Sequence, residues 1–286
     1  MTTLDQFEFI DIHYHANPDL YHRRLQALDA GRAYQALNGV VVLNSHLGAT
    51  SVQATLAQCE GLPVLASLAL NHVAGGIDYR VVLRALAEYQ PMLTAKMIVH
   101  FPTITGRKIQ SRLQRQMAHP HLNAHTLVGE TLFDDNHQLR SAVIDILKMA
   151  NDYPIVLSTG HANKCEVYAL IEACIQHQVP ALLLNQPANP LTGLQAPELA
   201  DLAKHTFVWI EQTTLTYVLG YQDQDDFAAV LSSLPRVIYS SDLGQTSQMD
   251  IKTWHDYSRQ MLTDLHISSE RQEQLRKGNA MLLLQC

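Results

Sequence analysis

The sequence predicts an α/β chain of the (β/α)8 TIM-barrel type, and three observations carry that prediction. Short β-branched or aliphatic runs alternate with longer segments of helical period along almost the whole chain, the pattern of βα units around parallel strands. Eight such runs fall within 286 residues, which suits a closed barrel better than an open doubly wound sheet of about five to seven strands. The runs carry few charges, as strands covered on both faces must.

In order, the predicted strands are FEFIDI (7–12), GVVVLN (39–44), PVLASLAL (63–70), AKMIVHF (95–101), YPIVLST (153–159), VPALLLN (179–185), TFVWIE (206–211) and RVIYSS (236–241). Between them, segments such as Ala142 to Ala150 and Glu166 to His177 repeat apolar residues at three- and four-residue steps, which predicts helices. No Gly/Ser/Pro-rich linker divides the chain, so 1–286 reads as a single domain. One stretch, Pro102 to His137 after the fourth strand, is too long for an ordinary βα loop. It holds Arg107, Lys108, Arg112 and Arg115 and has no acid before Glu130. The plain expectation is a solvated amphipathic helix on the rim; the functional alternative is a lid offering positive charge to an anionic substrate.

An apolar fraction of 47% supports a substantial core, and a net charge of -7 argues against a nucleic-acid binder or a polybasic membrane-surface protein. The expected partner is a small-molecule substrate, and a homo-oligomer is compatible with the composition. The start MTTLDQFEF lacks the basic and apolar regions of a signal peptide, and no run is long enough to span a bilayer, so a cytoplasmic location is expected. Cys59, Cys165, Cys174 and Cys286 show no CxxC spacing and read as reduced, mostly buried thiols. The loop with His119, His121 and His125 reads as polar surface, although such spacing can take up adventitious metal.

Catalytic groups of a barrel sit at the carboxyl ends of its strands. The first run is followed by His13 and His15, two residues apart, and strand side chains at i and i+2 share a face. Both imidazoles can therefore meet one divalent metal. The later strands end in Asn44-Ser45-His46, Asn71-His72, His100, His161 within STGHAN, Asn185-Gln186-Pro187, Glu211 and Ser240-Ser241-Asp242-Leu243-Gly244. A lone histidine at such a place is ordinarily a hydrogen-bonded surface or core residue. Several imidazoles and a carboxylate on one rim are different: they make an open coordination site with room for water. A metal there lowers the pKa of its water toward about 7, and Asp242 is placed to bind the metal or accept that water's proton. Ser-Asp-Leu-Gly is also compatible with an Asx turn. Glu211 reads either as the partner of a histidine or as a helix-start charge. Lys96 lies too early in the fourth strand to reach the rim.

These residues resemble the amidohydrolase superfamily of metal-dependent TIM-barrel hydrolases: DIHYH after the first strand, His161 after the fifth, Asp242 after the eighth, and KGNAMLLL, similar to the closing helix of that group. More closely, DIHYHANPDLYHRR, VLNSHLGAT, LSTGHAN and YSSDLGQ resemble an uncharacterised, mainly microbial amidohydrolase-like branch. The resemblance implies that His13, His15, His161 and Asp242 are metal ligands or their immediate partners, with Asp242 as the catalytic proton acceptor. It departs from the superfamily pattern after the sixth strand, where LLLNQPANP places Gln186 instead of a histidine, and at the fourth strand, which offers no bridging carboxylate. Neutral amide oxygen is a poorer zinc ligand than imidazole. One metal is therefore expected, zinc first, with manganese, iron or nickel as alternatives, and His46, His72, His100, Gln186 and Glu211 as auxiliary ligands or substrate contacts. The implied activity is a metal-dependent hydrolase that uses metal-activated water on a small amide, lactone, ester or related carbonyl compound. Two alternatives stand beside it. One is a ligand-binding barrel that has lost turnover through Gln186. The other is a phosphoesterase suggested by the basic segment Arg107 to Arg115, although Gly75-Gly76 signals only a tight loop.

Overall fold

A computed structural model describes residues 3–107, 112–113, 115–124 and 127–285; Lys108, His125 and Cys286 lie outside the described residues. Each predicted run yields strand. They are β1 (Phe9–His15), β2 (Gly39–Asn44), β3 (Val64–Leu65), β4 (Ser67–Ala69), β5 (Met97–His100), β6 (Ile155–Ser158), β7 (Leu182–Leu184), β8 (Val208–Thr213) and β9 (Val237–Ser240). The third run becomes two strands because pairing breaks at Ala66: β3 pairs with β2, and β4 pairs with β5. All pairing between these strands is parallel, in a three-stranded sheet β1-β2-β3 and a six-stranded sheet β4-β5-β6-β7-β8-β9. A parallel bridge joins Tyr14 to Leu243 just beyond β9. There the amide of His15 donates to the carbonyl of Leu243 at 2.9 Å, and the amide of Asp242 donates to that of His13 at 2.8 Å.

Helices follow the strands as the periodicity predicts: α1 (Ala27–Gln35), α2 (Ser51–Cys59), α3 (Tyr79–Ala87), α4 (Ser141–Met149), α5 (Lys164–Gln176), α6 (Ala196–Leu202), α7 (Thr214–Val218), α8 (Gln224–Ser233), α9 (Ile251–Asp264), α10 (Ser269–Glu273) and α11 (Asn279–Leu284). The start of α5 is set by a capping box, in which the Asn163 side chain accepts from the Glu166 amide while Glu166 accepts from the Asn163 amide.

Alternation along the strands divides the core in two. Ile10, Ile12, Val40, Val42, Leu65, Ile98, Val156, Leu183 and Ile238 form an inner cluster, joined by Ala280, Leu283 and Leu284 of α11. Phe9, Val41, Leu43, Val99 and Leu157, the intervening residues, pack outward against the helices. The terminal helix thus packs against this cluster near the start of β5. Its Leu284 carbonyl accepts from the Lys96 amide at 2.8 Å, and Lys96 accordingly lies at the start of its strand, away from the rim.

The stretch after β5 departs from expectation. Among the described residues it holds no α-helix before α4, only a single 3-10 turn at Pro120–Ala124. Residues 116–118 of it are pinned to the segment after β1: the His22 amide donates to the Gln116 carbonyl at 2.9 Å and the Ala118 amide to that of Leu20 at 2.9 Å. The cysteine expectation is corrected too, since Cys59 and Cys165 are exposed and only Cys174 is buried among the described thiols. His119 and His121 lie on the surface. No helix of the described residues is long and apolar enough to cross a membrane.

Candidate metal centre

A bulge in β1 builds the site. The register with β2 runs Asp11 to Val41 and then Tyr14 to Leu43, so β1 carries one residue more than its partner. Below the bulge Ile10 and Ile12 belong to the inner cluster, while above it Tyr14 belongs to the outer one. The extra residue therefore reverses the parity and turns His13 and His15 inward, above Ile12. Asp11 stays on the opposite face, where one carboxylate oxygen accepts from the Tyr34 hydroxyl and the other from the Ser241 amide at 3.0 Å.

Asp242 comes to meet the two imidazoles because the chain after β9 folds back onto β1. Its φ of 51° is left-handed, an uncommon state for a non-glycine residue. The Ser241 hydroxyl holds the turn, donating to the His13 carbonyl at 2.9 Å and accepting from the Leu243 amide at 3.2 Å. The Asp242 carboxylate, released from that work, faces the histidines: Oδ1 lies 3.4 Å from His13 Nε2 and 3.5 Å from His15 Nε2. Gly244 lets this turn approach closely, since a Cβ there would stand 2.0 Å from the His15 carbonyl oxygen. Glu211 fixes the orientation of His13: its Oε1 sits 2.9 Å from His13 Nδ1 and accepts from the Ser240 hydroxyl at 2.7 Å.

The charges answer one another. Burial disfavours the His13 cation, but Glu211 and Asp242 outweigh it and raise the pKa to about 9. Burial likewise opposes the Asp242 anion, yet His13 and His15 hold its carboxyl well below the usual carboxylate range. A tetrahedral cation with bonds of about 2.0–2.1 Å places its ligand atoms about 3.3–3.4 Å apart. The two imidazole-to-carboxylate spacings match that edge, and a nitrogen, nitrogen and oxygen donor set suits zinc. In this sense the residues fit the metal that the resemblance implies.

His46, His100, His161 and Gln186 line the same pocket. His100 is buried, with Nδ1 2.9 Å from the Ser158 hydroxyl and an Nε2 that finds no hydrogen-bond partner among the described residues. Its ring lies 5.8 Å from that of His13. His161 enters the pocket beyond Gly160 but does not join the tight cluster of His13, His15 and Asp242. Gln186, like Asp242, has positive φ, at 44°. His72 is displaced from the site. Asn71 accepts from the amides of Thr103 and Ile104, both at 2.8 Å, and the chain then turns outward, leaving His72 exposed in a 3-10 turn.

Two residues of the site were missed by the reading of strand ends. Asp19 is fully buried and clusters with His15 and His46 as a second potential metal group. Arg23, however, already occupies it: Nε is 2.7 Å from Asp19 Oδ2, and NH2 contacts the same oxygen and lies 3.3 Å from His46 Nδ1. A guanidinium thus already stands at this second group. The signal for this pair was the i,i+4 spacing of Asp19 and Arg23 in a segment with no helical period.

A known family spans most of this frame, matching residues 8–211, from the approach to β1 through Glu211. The chain belongs to the family of unknown function DUF6282. The matched span of this DUF6282 chain includes His13, His15, Asp19, Arg23, His161 and Glu211 and stops before Asp242. Among solved structures, an amidohydrolase from Burkholderia multivorans with bound HEPES superposes with a TM-score of 0.51, covering 96% of this chain and 98% of that one at 14% identity. The fold is thus amidohydrolase-like. No curated protein matches the sequence.

Proposed function

We propose that this chain is a hydrolase that uses one divalent metal, zinc first, on a small amide, lactone, ester or related carbonyl compound. The observation that carries this is the placement of Asp242 Oδ1 at 3.4 and 3.5 Å from two imidazole Nε2 atoms, with Glu211 behind one of them. His13, His15 and Asp242 would hold the cation, and His161 or the unpartnered Nε2 of His100 would complete its ligands. A bound cation supplies an acidified water and a Lewis acid beside the substrate carbonyl. The protein's own part is orientation and proton movement. Glu211 accepts from His13 Nδ1 and so presents Nε2 to the site. Asp242 uses Oδ1 toward the histidines, which leaves Oδ2 to take the proton of the attacking water and return it to the leaving group. The bridge from Tyr14 to Leu243 supports a barrel closed between its first and last strands as a single domain, with this pocket at its mouth.

The test is the metal content of untagged protein purified without chelators, compared with His13→Ala/His15→Ala, together with hydrolysis of a panel of simple esters and lactones. One zinc per chain in the parent, lost with hydrolysis in the variant, is expected. Metal retained by the variant would shift the site to His119, His121 and His125 and overturn the assignment.

A further inference from the structure

We infer that the substrate carries a compact anionic group, a carboxylate or a phosphate, and that Arg115 receives it at the mouth of the pocket. This rests on that pocket's being the substrate site. Arg115 and Leu113, both from the stretch after β5, form part of its wall. The guanidinium lies 5.2 Å over the Tyr21 ring, and Tyr21 in turn stands edge-on to His46 at 5.5 Å. Cation–π contact of this kind steers a guanidinium and leaves its N–H edge free for an acceptor. The backbone around Arg115 is anchored as well: Tyr21 bridges Met117, and the flanking amides of His22 and Ala118 complete the pairing.

Charge accounting singles Arg115 out. Of the other arginines in this stretch, Arg107 is paired with Glu166 at 2.8 Å, and Arg112 donates to the Leu219 carbonyl while stacking 5.3 Å over Tyr221. Arg23 faces the pocket too, but Asp19 neutralises it. Asp242 and Glu211 both lie against His13, at 3.4 and 2.9 Å. Among the described residues, Arg115 is the pocket arginine with no carboxylate within ion-pair distance. A divalent cation held there would offset the two carboxylates Asp242 and Glu211 and leave Arg115 as the unmatched charge of the pocket, so an anionic substrate is favoured over a neutral one on electrostatic grounds.

Titration calorimetry with glutarate, phenyl phosphate and uncharged glutaramide, on zinc-loaded and EDTA-treated protein, tests this. At least one of the two anions is expected to bind more tightly than glutaramide. Arg115→Gln should weaken that binding by about tenfold, while Arg112→Gln leaves it unchanged. Which anion responds identifies the group. Binding of neither anion, equal binding of glutaramide, or an unchanged affinity in Arg115→Gln would overturn the inference. If zinc fails to bind yet the anion still depends on Arg115 in EDTA-treated protein, only the hydrolase proposal falls. If zinc binds and the anion ignores Arg115, only this inference falls.

Discussion

Glu211 Oε1 lies 2.9 Å from Nδ1 of His13, which ties a buried carboxylate of the eighth strand to an imidazole of the first. The contact determines which nitrogen of His13 faces Asp242. It also supplies the negative charge that keeps a buried imidazole basic enough to bind a cation well.

Glu211→Gln preserves shape and removes that charge. Zinc affinity is expected to fall by about 10- to 100-fold, measured by competition with a chromophoric chelator, and the thermal midpoint of the metal-free protein falls as well, because the buried His13 cation loses its strongest counter-charge. Unaltered affinity would mean that the amide serves His13 as well as the carboxylate, and that Glu211 has only a packing role.

Gly244→Ala tests the close approach of the last turn to β1. At a φ of 127° a side chain is strained, and its Cβ would meet the His15 carbonyl oxygen at 2.0 Å, so the turn must retreat. We expect a loss of about 1–3 kcal/mol in urea unfolding and weaker zinc binding, because Asp242 moves with the turn. Wild-type affinity in a destabilised variant would separate the turn from the metal centre.

Acid should destabilise the metal-free protein through its buried neutral histidines. Burial is the main cause in each: it lowers His46 to about 3, lowers His161 to about 4, and pushes His100 well below the usual range. In the unfolded chain all three titrate near about 6.5. As pH falls below that value the unfolded state takes up protons that the folded state refuses, so stability is lost at up to about 1.4 kcal/mol per pH unit for each group. His13 has the opposite sign. Its contribution is complete below about 6.5 and is lost as pH rises through about 9. Urea midpoints of EDTA-treated protein should therefore fall between pH 7 and pH 5, three groups against one. A flat profile would show that these rings are not held neutral.

The eight strand segments were legible because parallel strands need β-branched and aliphatic runs poor in charge, and GVVVLN matches β2 residue for residue. The first strand was cut short at Ile12 because hydrophobicity ends there, whereas pairing continues through His15. The bulge that reverses its parity leaves no compositional mark. His13, His15 and Asp242 were legible as strand-end residues. His72 was not separable from them, since the hydrogen bonds that turn Asn71 aside come from Thr103 and Ile104, far along the chain. The same reason hid the course of the stretch after β5. Its charge pattern resembles an amphipathic helix, but residues 116–118 pair with residues 20–22, and local periodicity carries no record of such long-range pairing.

Arg23 offers the sharpest check on the count of metals. Arg23 is 5% exposed, and its guanidinium shares Asp19 Oδ2 with the neighbourhood of His15 and His46, that oxygen lying 3.4 and 3.3 Å from their Nδ1 atoms. Arg23→Met removes the resident cation while keeping the length of the side chain's apolar stem. Asp19 is then a buried carboxylate without its counter-charge, which costs about 3–5 kcal/mol in metal-free protein. A divalent cation can replace what was removed, because His46 Nδ1 and the Asp19 carboxylate remain there beside His15 Nδ1, whose ring would lose its proton and bridge the two cations as an imidazolate. Zinc per chain should rise from one in the parent to two in Arg23→Met, and excess zinc should recover much of the lost stability in urea. If the variant still binds a single zinc and zinc does not restore its midpoint, Arg23 is only a brace for the loop after β1, and the second group has no capacity for metal.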